Sequence, residues 1–416
     1  MSSVLQSFKR IITPLQRSYK IYDPVHGFIH FNALEKRVID SAAFQRLHSI
    51  HQLGMAYLVY PGATHTRFEH SLGAMELATR IFDKITSKGF ALVDKEYWLQ
   101  IVRLAALCHD LGHLPFSHDA EYALLGSEGH EGWTLKIIHE LQEIWGLVAA
   151  HFPGKEVAKD VMKMAVGEKK LSNFTQVESV LSHIVTGDFF GADRIDYLLR
   201  DAKCTGVSHG LFDYDQLIEM LCVVSHEGKL QLAIEENGVA SCEALLLARH
   251  FMHQRVYKYA SVKAHKFHLS RFMKAFFEEG ESLKSLAGYL SLTDNEILVA
   301  LRKASQDPNA LGHLDAMALL QREKRFRALG LREGTSDADL ENLREELKIP
   351  KTALFIEPSF PKTEGHNTPF FLVQRRASKA VVPSHEYSQI AFFAKPLKWI
   401  YIDPTFEELF SSHLGD

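Results

Sequence analysis

Cysteine is scarce in this sequence: its 416 residues include only Cys108, Cys204, Cys222 and Cys242. None of them forms a C-x-x-C pair, and a chain of this length with so little cysteine does not have the composition of a disulfide-stabilised scaffold. We therefore expect buried, free thiols in a reducing compartment, and a cytoplasmic protein.

Long apolar runs are also missing. No stretch approaches the roughly 20 apolar residues that a transmembrane helix needs. Hydrophobic residues make up 46% of the chain and charged residues 24%, the balance of a soluble globular protein with room for more than one domain. The first 20 residues carry four basic side chains and no acid. A mitochondrial transit peptide has this composition, but we favour a solvated N-terminal arm over residues 1–18.

The chain has no excess of positive charge. Its formal net charge is -4 at pH 7, so nucleic acid is not indicated as a partner, although a local basic pocket is compatible with this value. Histidine, by contrast, is abundant, with 23 residues. Histidine is the commonest metal ligand and titrates near neutral pH, so the spacing of these histidines has to decide whether they form a site.

The hydrophobic pattern predicts a mainly α fold. Residues Tyr19–Phe31 alternate between polar and apolar side chains and contain turn-forming pairs, which predicts a hairpin. A helical pattern then extends over residues 32–221, and a second hairpin follows at residues 222–235. These segments predict a helical core that carries short β-hairpins.

The last third of the chain has a different texture. Residues 321–349 are dense in charge and are typical of solvated helices, whereas several strand-like segments follow Thr352. We therefore predict three parts: the arm over residues 1–18, a helical catalytic domain over residues 19–290, and a smaller C-terminal helical and α+β region over residues 291–416.

Two predicted helices bring histidine and aspartate to helix ends. Thr66 and Glu69 form a capping-box signature, which places His70 in the first turn of the helix that follows. Residues 98–108 are apolar nearly all round, the pattern of a fully buried helix, and the dipeptide His109-Asp110 comes directly after them. A charged aspartate is costly to bury unless it is paired or binds a metal.

For the His109-Asp110 dipeptide alone, a hydrogen-bonded pair would be the simpler interpretation. The neighbouring histidines favour a metal site: His65 and His70 lie upstream, and His113, His118 and His130 lie downstream. Imidazole and carboxylate ligands together suit Mn, Fe, Zn, Ni or Co.

A later helix carries further polar groups. Its residues Asp193, Tyr197, Arg200 and Asp201 share one face by their i, i+4, i+7 and i+8 spacing, and apolar residues lie on the other side. A plain amphipathic surface helix would also show this pattern. Two acids, arginine and tyrosine close to a histidine-rich segment are less typical of a surface helix.

These residues resemble a known family. His70, then His109-Asp110, then Asp193 is similar to the H…HD…D signature of the HD superfamily of metal phosphohydrolases. The resemblance extends from about Tyr19 to about Leu290, and its motifs resemble the deoxynucleoside triphosphate triphosphohydrolase branch. The motifs are Gln52-Leu53-Gly54, Pro61 to Gly73, His109 to His118 and Asp196 to Asp201.

The resemblance implies a role for each group of residues. The metal ligands would be His70, His109, Asp110 and Asp193, binding a divalent transition metal, and Mg²⁺ could accompany the substrate phosphates. The catalytic group would be His118 as general acid, His130 and Glu121 to orient it, and His113 near the metal-side water. Substrate phosphates, sugar and base would be contacted by Gln52, Leu53, Arg67, Arg194, Tyr197, Asp201, Arg255 and Tyr259.

Several of these roles have simpler alternatives. His130 could merely begin a helix, and Glu121 stands where that branch often has aspartate, so it could be a solvated residue. Arg194 stands where the branch often has lysine and would still supply a cation for phosphate. The series His250, His253, His265 and His268 could form a second metal cluster or simply a polar helix face, and the resemblance places a regulatory nucleotide site nearby.

The function that the resemblance implies is hydrolysis of deoxynucleoside triphosphates to deoxynucleoside and inorganic triphosphate. Two alternatives stay open: an HD phosphohydrolase acting on another nucleotide or phosphate ester, and a nucleotide-sensing regulator without turnover. The implied partners are the nucleotide substrate, a nucleotide activator, and further copies of the chain in a dimer or tetramer.

Overall fold

A computed structural model describes residues 15–119, 121–278, 282–331, 336–357, 371–388 and 398–413. The structure is mainly helical, which confirms the predicted fold class. The predicted N-terminal arm lies largely outside the described residues, and the division at residue 290 remains a prediction. None of the helices in these ranges combines the length and apolar composition that a bilayer crossing requires.

The α-helices follow one another along the chain, and several 3-10 turns connect them. They are α1 Ala33–Ile39, α2 Ala42–Gln45, α3 Arg67–Ser87, α4 Lys95–Cys108, α5 Glu121–Leu125, α6 Gly129–Glu140, α7 Gln142–Ala149, α8 Val157–Val166, α9 Gln176–Thr186, α10 Ala192–Thr205, α11 Tyr214–Met220, α12 Val239–Met252, α13 Ala260–Glu278, α14 Leu286–Leu290, α15 Asp294–Gln306, α16 His313–Leu320, α17 Asp337–Glu346 and α18 Pro404–Ser411. A π-helical turn, His253–Tyr257, separates α12 from α13.

The strands form three small sheets. They are β1 Tyr19–Asp23, β2 Gly27–Phe31, β3 Leu221–His226, β4 Lys229–Glu235, β5 Arg327–Leu331, β6 Leu354–Ile356, β7 Leu372–Gln374, β8 Val381–Pro383 and β9 Lys398–Ile402. Both predicted hairpins form, as the antiparallel pairs β1–β2 and β3–β4. Strand β7 pairs in parallel with β4, so the C-terminal part of the chain completes the sheet of the second hairpin.

The centre of the helical part is the pair α3 and α4. The apolar stripe of α3 is fully buried, including Met75, Ile81 and Ile85. Helix α4 is buried along most of its length and ends at Cys108, as its composition predicts. Because both helices are held in this core, the residues at their ends have fixed positions.

The predicted capping box at the start of α3 is wrong. Thr66 is the N-cap residue, but its hydroxyl is buried and has no hydrogen-bond partner among the described residues. The N–H of Arg67, the first helical residue, is satisfied by the backbone, since it donates to the Ile50 carbonyl at 3.0 Å. Glu69 is instead 3.9 Å from the guanidinium of Arg200.

Strand β5 corrects a second expectation. It occupies Arg327–Leu331, within the segment that was predicted to be solvated helix, and it pairs antiparallel with β9. The charges along the segment are real, but pairing with a buried neighbouring strand decides its backbone conformation. Helix α17 further along the same segment is confirmed.

Candidate metal centre and substrate pocket

Four side chains from three helices converge at the end of α4. His70 lies in the first turn of α3, His109 and Asp110 follow α4 directly, and Asp193 lies in the first turn of α10. His70 Nε2 is 3.2 Å from His109 Nε2, 3.1 Å from Asp193 Oδ1 and 3.4 Å from Asp110 Oδ2. His109 Nε2 is 3.4 Å from Asp110 Oδ1 and 3.5 Å from Asp193 Oδ1.

These distances fit a single bound cation. Atoms that each lie about 2.1 Å from one ion are roughly 3.0–3.4 Å from their neighbours. The donor atoms of His70, His109 and Asp110 form a buried group that could hold a metal, and Asp193 Oδ1 adjoins both imidazoles. The predicted ligand residues are therefore together in the structure.

The two histidines are oriented as metal ligands. His70 Nδ1 is 2.8 Å from Asp196 Oδ2, and His109 Nδ1 is 2.8 Å from the Ala106 carbonyl. Since a carboxylate and a carbonyl only accept hydrogen bonds, both Nδ1 atoms carry the proton. Each Nε2 then presents its lone pair to the point where the four side chains meet.

The pKa values of the candidate ligands are strongly shifted by their neighbours. Burial lowers the pKa of His70, but its hydrogen bonds to Asp193 and Asp196 outweigh burial and raise the pKa to about 10. Burial likewise raises the pKa of Asp193, while its hydrogen bonds with His109 and His70 hold that pKa well below the usual range. The carboxylates are thus ionised, and a divalent cation could replace the protons that they attract.

Arg67 lies beside this group but is already paired. Its Nη1 donates to Asp110 Oδ2, and its Nε donates to Ser117 Oγ at 2.7 Å. Its predicted role as a phosphate ligand is compatible with this position, although in the structure its guanidinium is paired with Asp110, a candidate metal ligand.

The predicted catalytic residues form a second group next to the first. Glu121 contacts His118 Nδ1 with one oxygen and His130 Nδ1 with the other, the latter at 2.6 Å. The His113 ring stacks on His130 at 3.7 Å, lies 4.7 Å from the His118 ring, and has its Nε2 3.3 Å from Asp110 Oδ1. His113 therefore connects the two groups.

The members of the second group differ in electrostatics and in exposure. Burial raises the pKa of Glu121, but hydrogen bonds with His118 and His130 hold it well below the usual range, so this carboxylate stays ionised. Burial and the charge of Arg67 lower the pKa of His113, which keeps that ring neutral. The His118 side chain is 60% exposed and is open to a substrate. His113, His118, Glu121 and His130 are also close enough together to hold an ion.

The polar face of α10 is only partly as predicted. The Asp201 carboxylate is hydrogen-bonded to His65 Nε2 at 2.7 Å and accepts from Tyr257 Oη at 2.8 Å. The Tyr197 ring is 6.3 Å from that of Tyr257. Arg194 Nη2 is 3.1 Å from Asp188 Oδ1.

Arg200, which was predicted to share that face, points elsewhere. It is fully buried, and it donates to Asp196 Oδ2 at 2.9 Å and to Asp23 Oδ2 at 2.8 Å. The physical reason is spacing: Arg200 is one turn from Asp196 but two turns from Asp193, so the nearer carboxylate captures it.

The remaining predicted substrate residues differ in burial and lie in two parts of the chain. Gln52 is buried, and its backbone N–H donates to the His65 carbonyl at 3.0 Å. Leu53, the next residue, is half-buried. Arg255 and Tyr259 are exposed at and after the π-helical turn, where Tyr60 donates to the Arg255 carbonyl and stacks edge-on near Tyr259. Their roles in substrate binding remain predictions.

The histidine series on α12 and α13 does not gather around one point in the described part of the chain. His265 contacts Arg322 and Arg325, whereas His268 pairs with Asp315 at 2.7 Å. The alternative of a polar helix face with separate partners is therefore the better description of these residues.

Sequence reasoning missed three residues of the site. Tyr257 donates to Asp201, Asp196 accepts from the candidate ligand His70, and His26 Nε2 is 2.6 Å from Asp196 Oδ1. Asp196 could have been found, because it is one turn after Asp193 and metal-bound histidines usually donate to a carboxylate. His26 is 170 residues away from Asp196 along the chain and gives no local signal.

Comparison with known proteins shows which family the chain belongs to. Residues 67–193 match the HD domain family, and residues 212–353 match the HD associated region. The chain belongs to the HD-domain superfamily, whose members are metal-binding phosphohydrolases.

Individual relatives show how far the similarity extends. An uncharacterised protein of Methanocaldococcus jannaschii is 33% identical over 288 residues, 69% of this chain and 55% of the relative. The deoxynucleoside triphosphate triphosphohydrolase SAMHD1 of Gallus gallus is 29% identical over 342 residues, 74% of this chain and 55% of the relative. The matched regions thus span about half the length of these curated relatives.

A solved structure matches over nearly the whole chain. It is that of a hypothetical protein from Aquifex aeolicus, with a TM-score of 0.76 and 32% sequence identity. The match covers 95% of this chain and 100% of that one, so it extends well beyond the HD domain.

Proposed function

We propose that this protein hydrolyses deoxynucleoside triphosphates at the α-phosphate and releases the deoxynucleoside and inorganic triphosphate. One observation carries the proposal: His113 joins the four candidate ligands to the group of His118, Glu121 and His130, so a metal and a proton donor are neighbours. The similarity to the Gallus gallus triphosphohydrolase supports the same substrate class.

The chemistry divides between the two groups. A divalent cation held by His70, His109, Asp110 and Asp193 would polarise the phosphoryl oxygen and favour attack by water near neutral pH. Attack forms one P–O bond and breaks the bond between the α-phosphorus and the 5′-oxygen. His118 gives its proton to the leaving 5′-oxygen, while Glu121 holds the imidazole in place. Arg67, Arg194 and Arg255 are suited to hold the outgoing triphosphate.

The spacing of Tyr197 and Asp201 from Asp193 on α10 supports cleavage at the α-phosphate. Tyr197 and Asp201 follow Asp193 by four and eight residues on α10, which is about 6 and 12 Å along the helix axis. A sugar held by these side chains has its α-phosphate near the ligand group, whereas the γ-phosphate is two phosphates farther away. Gln52 and Leu53 would close the other side of the sugar.

The test is a product analysis with matched variants. Purified protein is incubated with each deoxynucleoside triphosphate and each ribonucleotide, alone and in mixtures, with Mn²⁺, Mg²⁺ or Fe²⁺, and the products are separated by chromatography. We expect deoxynucleoside and intact triphosphate, and in heavy-oxygen water the label should enter the triphosphate. Primary release of orthophosphate and a diphosphate would contradict the proposed geometry.

Variants separate the metal assignment from the substrate assignment. Asp193→Ala should lose bound metal and turnover, whereas the control Asp215→Ala removes an exposed acid paired with Arg80 and should keep both. Full metal occupancy in Asp193→Ala would contradict the ligand assignment. Equal hydrolysis of GTP and dGTP would favour the alternative, an HD phosphohydrolase acting on another nucleotide or phosphate ester. Metal binding without turnover of any nucleotide would favour a nucleotide-sensing regulator.

The same assays address the partners that we propose. Mixed imidazole and carboxylate ligands favour Mn, Fe, Zn, Ni or Co in the protein site, with Mg²⁺ on the substrate phosphates. Faster hydrolysis in nucleotide mixtures than with single nucleotides would indicate a nucleotide activator. Light scattering after size exclusion, with and without nucleotide, would detect the proposed dimer or tetramer.

A further inference from the structure

The candidate ligand His70 rests on a carboxylate that is fully buried. Asp196 Oδ2 accepts from His70 Nδ1 at 2.8 Å and from Arg200 Nε at 2.9 Å. Its other oxygen accepts from Arg200 Nη2 at 3.0 Å and contacts His26 Nε2 at 2.6 Å. The carboxylate therefore has four close contacts with three residues, and one of these residues comes from outside the helical core.

That outside partner belongs to the turn of the N-terminal hairpin. His26 lies between β1 and β2, and its side chain is 1% exposed. The turn is held by Asp23, whose Oδ1 accepts from Val25 N at 2.8 Å and His26 N at 2.9 Å. Asp23 Oδ2 accepts from Arg200 Nη1 at 2.8 Å, so the same arginine bridges the hairpin and the carboxylate behind His70.

The protonation of His26 follows from its contacts. Its Nε2 faces a carboxylate and must donate, whereas its Nδ1 is buried and has no partner among the described residues. The neutral ring with the proton on Nε2 satisfies this arrangement, because a charged ring would bury a second, unused N–H. His26 then contributes a hydrogen bond without neutralising Asp196.

The charges behind His70 favour a cation in front of it. Asp23 and Asp196 carry two negative charges and Arg200 carries one positive charge, so this buried network has a net charge of about −1 with neutral histidines. A carboxylate that accepts from the distal nitrogen of a ligating histidine fixes its tautomer and makes the imidazole a stronger donor to the metal.

Helix α3 has a glycine where this network approaches it. Gly73 is one turn after His70, and a Cβ placed on it would lie 1.9 Å from Asp196 Oδ1 and 2.4 Å from Arg200 Nη2. Glycine inside a helix costs about 1 kcal/mol relative to alanine, so a stability advantage does not explain it. The space is needed by the carboxylate and the guanidinium.

We propose that His26 is a positioning residue of the metal centre, and that the N-terminal hairpin raises the metal affinity of His70 by holding Asp196. The proposal rests on the metal assignment in the proposed function, so its test measures metal binding rather than turnover. By linkage, if docking of the hairpin strengthens metal binding, bound metal must strengthen docking of the hairpin by the same factor.

The first experiment titrates metal-free protein with Mn²⁺ by calorimetry and measures the thermal stability of the metal-free form separately. His26→Ala should weaken binding about 10- to 100-fold, as does loss of other groups that orient a metal ligand. His26→Gln keeps an N–H donor and should recover part of the affinity. The control His30→Ala changes an exposed histidine on β2 of the same hairpin and should bind as the native protein does.

A second pair of variants approaches the network from α3. Gly73→Ala should weaken Mn²⁺ binding because the methyl group displaces Asp196, although alanine is the better helix former. Gly146→Ala in α7 is its control, since a Cβ there meets no atom within 4 Å. Native affinity in both His26→Ala and Gly73→Ala would overturn the proposal.

Hydrogen exchange on the native chain keeps the test valid if a variant fails to fold. Mn²⁺ should slow exchange of the amides of β1 and β2 in the native protein. Unchanged exchange in the hairpin, with Mn²⁺ demonstrably bound, would overturn the proposal. If Asp193→Ala binds Mn²⁺ as tightly as the native protein, the metal assignment itself fails, and this result is distinct from a failure confined to His26.

Discussion

The loop that carries His118 is strained, and Asp294 holds it in place. Phe116 and Ser117 both have left-handed backbones, with φ of 58° and 61°. For residues other than glycine this conformation costs roughly 1–2 kcal/mol each. The Asp294 carboxylate, at the start of α15, accepts from Phe116 N at 2.6 Å and from His51 N at 2.9 Å, and also contacts His51 Nδ1 at 2.6 Å.

The informative change is Asp294→Asn, which keeps the shape and removes one acceptor. The amide oxygen of asparagine can accept from only one of the two backbone donors, Phe116 N or His51 N. The amide NH₂ group then faces the other N–H and cannot accept from it. A hydrogen bond to a charged group is worth about 1.5–3 kcal/mol, and an orphaned buried donor costs about 1–3 kcal/mol. Asp294 is 1% exposed, so solvent does not compensate, and we expect a loss of about 3 kcal/mol in the free energy of unfolding.

Two assays test this reasoning together. Urea unfolding of Asp294→Asn should show the loss of stability, whereas Asp307→Asn, an exposed aspartate at the other end of α15, should not. Because His118 follows the strained pair directly, kcat should fall more than KM rises, and bound metal should stay at the native level. If Asp294→Asn matched Asp307→Asn in both stability and kcat, Asp294 would not be the anchor of this loop.

Three further predictions use features away from that loop. Thr66→Val should leave the free energy of unfolding within about 0.5 kcal/mol of the native value, because the hydroxyl makes no hydrogen bond among the described residues. Its control, Thr175→Val, breaks an observed capping box and should lower the free energy of unfolding in urea by about 1 kcal/mol. Burial lowers the pKa of His65, but its hydrogen bond to Asp201 outweighs this and raises the pKa from 6.5 to about 9. The contribution of His65 to the free energy of unfolding is therefore complete below pH 6.5 and is lost as pH rises towards 9. Unfolding measured across that window should show the free energy of unfolding fall by about 3 kcal/mol, and His65→Gln should not show this fall. Chelation should lower the melting temperature in calorimetry, since metal at about 100 times its Kd adds about 2.7 kcal/mol, and Asp193→Ala should not respond.

The surroundings of the ligand group carry local signals, whereas the four candidate ligands as a set came from the resemblance to the HD superfamily. A nearly all-apolar helix precedes the charged pair His109-Asp110, and the capping-box signature placed His70 correctly in the first turn of α3, although the capping bonds themselves do not form. The hairpin Tyr19–Phe31 was equally accessible, since alternation and turn residues lie within one short segment. In each case covalent adjacency or a short repeat carries the information.

The errors arose where a partner is distant in sequence or where a nearer partner on the same helix was overlooked. Arg200 pairs with Asp196, one turn away, rather than sharing a face with Asp193, and Asp23 from the N-terminal hairpin also accepts from Arg200. Strand β5 lies in a segment with the charges of a solvated helix, yet its pairing with β9 across about 70 residues decides its structure. Such long-range contacts leave no periodic trace in one sequence.

The two histidine ligands show the same division inside the metal centre. His109 is oriented by the Ala106 carbonyl of its own chain segment, three residues away, so α4 alone supplies the geometry. His70 is oriented by Asp196 on α10, which is itself held by a hairpin 170 residues earlier in the chain. The H…HD…D signature therefore points to the candidate ligands but cannot report whether His70 is correctly held. Substitutions at His26, Gly73 or Arg200 would leave the signature intact and still weaken the site, and for this reason metal affinity has to be measured rather than inferred from the four ligand residues.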